Sequence, residues 1–145
     1  MDITDFIRQI AQLEKEQDAI YRSVAAKYGL SDSAMWILYM ITDTEEPCTQ
    51  QDLCHQSCFP KQTINSAVNR MIREGYAVLE TIPGTRNQKK VLLTKEGKAL
   101  AGRTVNCLRE AEKKAYGKLT AKEREAFLTA TQKIMESLRE ETQKL

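Results

Sequence analysis

Lys61, Gln62, Thr63, Asn65, Ser66, Asn69, Arg70 and Arg73 bring amide, hydroxyl and cationic side chains onto a few turns of chain. Gln and Asn can pair bidentately with adenine, and Arg with guanine. Arg and Lys also neutralise phosphate, while Thr, Ser and the backbone amides at a helix start hold phosphate oxygens. A helix that merely faces solvent favours Glu, Lys and Ala for their propensity. Here polar residues of poorer propensity crowd one face, and the only acid is Glu74 at the end. A second group follows in the run PGTRNQKK: Arg86, Asn87, Gln88, Lys89 and Lys90. A Gly-bearing turn with these cations makes a flexible finger, which can place Arg in a narrow minor groove where negative potential is concentrated. The chemistry both groups suit is contact with bases and phosphates.

The elements that must position these groups are legible from periodicity and punctuation. Ile64, Ala67, Val68, Met71 and Ile72 form an apolar stripe, so residues 61–74 read as a two-faced helix that Pro60 starts and Gly75 closes. Thr49, with Asp52 three residues on, is a capping-box signal for a short preceding helix anchored by Leu53 and ending near residues 57–59. Residues 77–82 alternate as a strand, Pro83 and Gly84 mark a turn, and residues 90–93 are a second β-prone run. Helix, turn, longer helix and hairpin in this order spell a winged helix-turn-helix, with one helix for the major groove and a hairpin beside it.

The flanks are helical. Ile3, Phe6, Ile10, Leu13, Gln17, Ile20, Val24 and Tyr28 recur at steps of three and four, close to a heptad seam, up to Gly29. Ser31 or Asp32 caps a second helix whose nearly all-round apolarity (Met35, Trp36, Leu38, Tyr39, Ile41) predicts burial. Residues 43–47 are a polar loop. Thr94 caps a long final helical region that breaks at residues 117–120, where Thr120 and Glu123 supply a fresh cap. Phe127, Thr131, Ile134 and Leu138 then repeat at helical spacing. A core of residues 31–94 cannot cover the apolar seams of so many more helical residues. A second copy of the chain would cover them most simply, and an all-α bundle closing on itself is the alternative.

Composition sets bounds. The chain has 145 residues, the size of one domain, and few prolines and glycines, which favours long helices. Net charge is only +2, but residues 1–59 carry −6, residues 60–94 carry +4 and residues 95–145 carry +4, so positive charge sits where a nucleic-acid contact needs it. No apolar run approaches the roughly 18 residues of a membrane span. The acidic, amphipathic start does not read as a signal peptide, and a cytoplasmic location is expected. No nucleophile–base constellation accompanies the single His, and no phosphate-cradling Gly-rich loop precedes a helix, so enzyme activity is not expected.

Cys48, Cys54, Cys58 and Cys107 are expected to be thiols. Cys54 and Cys58 flank His55, but zinc usually takes four ligands and no second cluster exists, so packing is favoured over metal and no cofactor is expected. Cys54 stands where helix-turn-helix proteins pack a small residue such as Ala.

PKQTINSAVNRMIREGYAVL followed by RNQKKVLLTKEG resembles the MarR family of bacterial transcriptional regulators, most specifically between Lys61 and Gly97. The resemblance implies a mainly α fold with a small β-hairpin wing. It implies one MarR-type domain over residues 1–145, with a winged helix-turn-helix at 31–94 and dimerisation helices at 1–30 and 95–145. It further implies a homodimer bound to a palindromic operator in double-stranded DNA. Family members usually repress, and are often released by a small phenolic or lipophilic effector or by oxidation. The family's wing usually has an Asp two residues before its Arg, whereas here Gly84 precedes Arg86. Tyr21, Trp36 and Tyr39 are the aromatics that would line an effector pocket, or simply belong to the core. A thiol-based redox-sensing regulator, which would need an exposed thiol of lowered pKa, and a winged helix used for protein contact are the other readings.

Overall fold

A computed structural model describes all residues 1–145. Seven helices and one hairpin follow in the order α1 (Ile3–Lys27), α2 (Asp32–Asp43), α3 (Gln50–Gln56), α4 (Lys61–Arg73), β1 (Ala77–Thr81), β2 (Lys89–Leu93), α5 (Lys95–Arg103), α6 (Val105–Tyr116) and α7 (Ala121–Thr142). The chain divides into two compact units, Met1–Leu108 and Arg109–Leu145.

Local chemistry sets the boundaries in the first unit. Ser31 caps α2 by accepting from the Ala34 amide. At α3, the Asp52 amide donates to Thr49 Oγ1 (3.0 Å) and the Thr49 amide donates to Asp52 Oδ2 (2.8 Å), the reciprocal capping box. Thr94 does double duty. Its hydroxyl accepts from the Gly97 amide to cap α5 and donates to the Gly75 carbonyl at 2.6 Å, tying the α4 exit to the α5 entry. Gly75 turns the chain from α4 into β1 with φ +82°, a conformation that side chains with a Cβ resist.

The core is one cluster. Met35, Ile37 and Leu38 of α2, Leu53 of α3, Ile64 and Val68 of α4, Val91 of β2 and Val105 of α6 are all fully buried. β1 and β2 pair antiparallel in the register Ala77↔Leu93 to Thr81↔Lys89. A third segment joins their edge, where Thr49 bridges Lys90 and the Val91 amide donates to the Cys48 carbonyl (2.8 Å). The wing is thereby fastened to the chain entering α3.

The structure departs from the sequence pattern at two places. All-round apolarity in α2 does not mean all-round burial: Trp36, Tyr39 and Ile41 are only half-buried, and Ile37 is the fully buried residue the pattern did not single out. The helical region after Thr94 also breaks earlier than its Gly117–Thr120 signal. Thr104 leaves helical geometry (φ −127°, ψ −91°) between α5 and α6, buried, with its hydroxyl donating to the Leu100 carbonyl at 2.6 Å.

Each unit leaves apolar surface open. On α1, Ile3, Phe6, Ile10, Leu13 and Ile20 are exposed, so its seam is largely uncovered. In the second unit α7 begins at a capping box between Thr120 and Glu123 and has no buried residue, with Phe127, Leu128, Met135 and Leu138 exposed. No helix is long and apolar enough to cross a membrane.

Candidate nucleic-acid interface

α4 owes its orientation to its apolar stripe. Ile64, Ala67, Val68 and Met71 are buried against α2 and α3, which fixes which residues face outward. At 3.6 residues per turn the positions opposite that stripe are Gln62, Ser66, Asn69 and Arg73, spaced i, i+4, i+7, i+11, and all four are exposed. They form the centre of the outward face. Lys61 and Asn65 lie along one flank, and Thr63 and Arg70 along the other. Asn65 and Thr63 are half-buried, so their reach beyond the helix is shorter than that of the central four.

The charges differ in availability. Arg70 Nε lies 2.9 Å from Glu74 Oε1, an i,i+4 ion pair along the helix. Arg73 and Lys61 have no ion-pair partner, and no acid stands in the first turn of α4. Pro60 occupies the position before α4, where no side chain caps the helix, and the first-turn amides carry the positive end of the helix dipole outward.

The wing follows directly. Gly84 adopts φ +78° at the tip, and the Thr85 hydroxyl donates to the Ile82 carbonyl (2.7 Å). The Ile82 amide donates to the Gln88 carbonyl (2.9 Å), so residues 83–87 form the loop beyond the last rung. Arg86 and Asn87 are exposed on it, and Gln88 and Lys89 are exposed where the second strand begins. Lys90 differs: it stands opposite Glu80 in the register with its Nζ 3.3 Å from Glu80 Oε1, and braces the hairpin. The sequence did not reveal this pairing, because only the strand register brings Glu80 and Lys90 together.

Tyr21, Trp36 and Tyr39 pack on one another, with ring centroids 5.0 Å apart for Tyr21–Trp36 and 5.5 Å for Trp36–Tyr39, in tilted and edge-on arrangements. A separate cleft opens between the start of α2 and the Thr63–Arg70 flank of α4, walled by Leu38, Met71, Tyr76 and Leu100. None of the three aromatic residues lines it. All four cysteines are free: Cys48 is buried, Cys54 is half-buried against the core, and Cys58 and Cys107 are exposed. Nowhere do three or more His, Cys, Asp or Glu side chains converge as a metal site would need.

A MarR family model matches residues 28–86. Most of the chain superposes on solved structures of similar fold. A MarR family regulator from Neisseria meningitidis gives a TM-score of 0.75 at 21% identity, covering 98% of this chain and 99% of that one. A putative MarR family transcriptional regulator from Listeria monocytogenes, complexed with 26mer DNA, gives 0.72 at 16% identity, covering 93% and 89%. MarR from Staphylococcus aureus, in complex with salicylate and kanamycin, gives 0.71 at 16% identity, covering 95% and 93%. Among curated proteins, none matches the sequence.

Proposed function

On the premise that residues 28–86 form a MarR-family winged helix-turn-helix, we propose that the chain is a sequence-specific, double-stranded-DNA-binding transcriptional regulator, a repressor acting as a homodimer. The observation that carries the reading is the outward face of α4. Gln62, Ser66, Asn69 and Arg73 stand opposite the buried stripe with no acid among them, beside a basic wing. Amides read adenine and Arg reads guanine or phosphate, so this face offers both base and backbone contacts. The Listeria regulator of the same fold was solved on DNA, which supports the assignment of the partner.

The homodimer is supported by the open apolar seam of α1 and, separately, by the apolar residues along α7. Long helices with exposed Ile, Leu and Phe seams leave a monomer with surface that a second copy covers. The domain proposal follows: residues 31–94 contact DNA, while 1–30 and 95–145 associate. Two copies of α4 would then enter successive major grooves about one helical turn apart. A gel shift with genomic fragments tests DNA binding, and sedimentation tests the dimer. No shifted band at low salt, or a monomer at micromolar concentration, would count against the respective half of the proposal.

A small aromatic or lipophilic effector is the proposed release signal. The cleft beside Thr63, Ser66 and Arg70 supports it, because an occupant there would touch α4 itself. The Staphylococcus aureus MarR bound to salicylate supports the ligand class.

A further inference from the structure

The exit of α4 and the entry of α5 meet at one residue. α4 closes in a glycine turn: the Gly75 amide donates to the Ile72 carbonyl (3.1 Å) and the Tyr76 amide to the Met71 carbonyl (2.8 Å), with Gly75 at φ +82°. The Gly75 carbonyl then takes its donor from outside α4. That donor is the hydroxyl of the half-buried Thr94, at 2.6 Å. The same hydroxyl oxygen accepts from the Gly97 amide at 3.1 Å and so caps α5. The Thr94 amide donates to the Tyr76 carbonyl at 3.0 Å, and a Cβ on Gly97 would stand 2.0 Å from that carbonyl oxygen.

Capping alone does not account for this arrangement. A cap needs only an acceptor, which Ser, Thr, Asp and Asn all supply. The bond to Gly75 needs a donor as well, and it joins residues 19 positions apart. It does nothing to start α5. It holds the last turn of α4 to the first turn of α5 at a fixed separation and rotation. α4 carries the outward face of Gln62, Ser66, Asn69 and Arg73, and α5 opens the 95–145 region assigned above to association with a second copy.

Resting on the DNA-binding homodimer proposed above, we propose that Thr94 is a positioning residue for DNA recognition. Its donor bond to Gly75 passes the placement of α5 on to α4, and so sets the half-site spacing that two copies of the chain accept. One base pair added between half-sites moves them apart by about 3.4 Å and turns one against the other by roughly 35°. A stiff junction cannot follow that change, whereas a loosened one can. Thr94 touches neither base nor phosphate in this role, so the identity of the preferred half-site does not depend on it.

Thr94→Asp and Thr94→Ser separate the two roles of the hydroxyl. Asp caps a helix at least as well as Thr, but its ionised carboxylate only accepts and cannot donate to the Gly75 carbonyl. Ser keeps both roles. An inverted repeat enriched from a random pool is compared by fluorescence anisotropy with versions whose spacer is one base pair longer or shorter. The readout is the ratio of affinities between spacers, since a charge added at residue 94 or a loss of stability acts on all spacers alike. The unmodified chain and Thr94→Ser should give the same ratio. Thr94→Asp, melting close to the unmodified chain, should give a ratio smaller by about fivefold, the effect of one hydrogen bond. A folded Thr94→Asp with an undiminished ratio would overturn the proposal and leave the DNA-binding reading intact, as would an unmodified chain that binds all spacers equally. Should Thr94→Asp not fold, hydrogen exchange in the unmodified chain decides. The Gly97 amide, which bonds to the hydroxyl itself, should exchange as slowly as that of Val91, and exchange as fast as the exposed Arg86 amide would overturn the junction. Absence of DNA binding by the unmodified chain would overturn both readings.

Discussion

Arg70 and Glu74 are joined one helical turn apart on α4, with Arg70 Nε 2.9 Å from Glu74 Oε1. Both side chains are about half exposed, so the pair contributes little to stability, on the order of 0.5 kcal/mol. Its consequence lies in binding. The guanidinium is already partnered on the flank, whereas Arg73 on the central face is not.

Arg73→Ala should therefore weaken DNA binding more than Arg70→Ala, by about 1–3 kcal/mol for a lost phosphate or base contact. Glu74→Gln should tighten binding a few-fold and steepen its salt dependence, by releasing Arg70 and removing an anion from the face. Anisotropy titrations of the three variants decide. Equal losses for Arg70→Ala and Arg73→Ala would mean that the ion pair opens on DNA.

Gly97 should not tolerate a side chain. A Cβ built there lies 2.0 Å from the Tyr76 carbonyl oxygen, a backbone atom that cannot swing aside, and the Thr94 hydroxyl holds the same junction. Gly97→Ala is expected to cost about 3 kcal/mol through overpacking at the α5 entry. Gly102→Ala is the control, since nothing lies within 4 Å of its Cβ position. Chemical denaturation that finds the two variants equally stable would disprove the close approach.

The capping box at α3 makes a pH prediction. The Thr49 amide, and then the Thr49 hydroxyl, hold the Asp52 carboxyl below its ordinary value of 3.8. A group with a depressed folded pKa contributes stability above the unfolded value, and that contribution is lost as pH falls through the folded one. The α3 cap should thus persist at neutral pH and weaken only below 3.8. NMR titration of the Asp52 carboxyl carbon should give a midpoint under that value. Thr49→Ala should move it part of the way back, because the backbone amide bond remains. A midpoint at or above 3.8 in the unmodified protein would remove the cap from the account.

Much of this was legible in sequence where the signal is local. Thr49 with Asp52, Thr94, and Thr120 with Glu123 announce helix starts because a cap needs only residues a few positions apart. The α4 stripe announces its own buried face, and with it the candidate contact face. What escaped depends on distance or phase. Thr104 ends α5 with no Gly or Pro at the break itself, held by burial and by its bond to Leu100. In α2, apolar residues on every side give no phase, so Ile37 could not be told from Trp36 as the deeper residue. The Thr49–Lys90 bridge joins the chain entering α3 to the wing across many residues, a pairing that no local pattern encodes.

In the proposed complex two copies of α4 read a duplex through Gln62, Asn69 and Arg73. The decisive experiment is selection from a random double-stranded DNA pool with the purified chain, read by sequencing. An inverted repeat whose half-sites are centred about one helical turn apart should be enriched, with enrichment lost in Arg73→Ala and altered base preference in Gln62→Ala. A pool that stays random after successive rounds at low salt would contradict it.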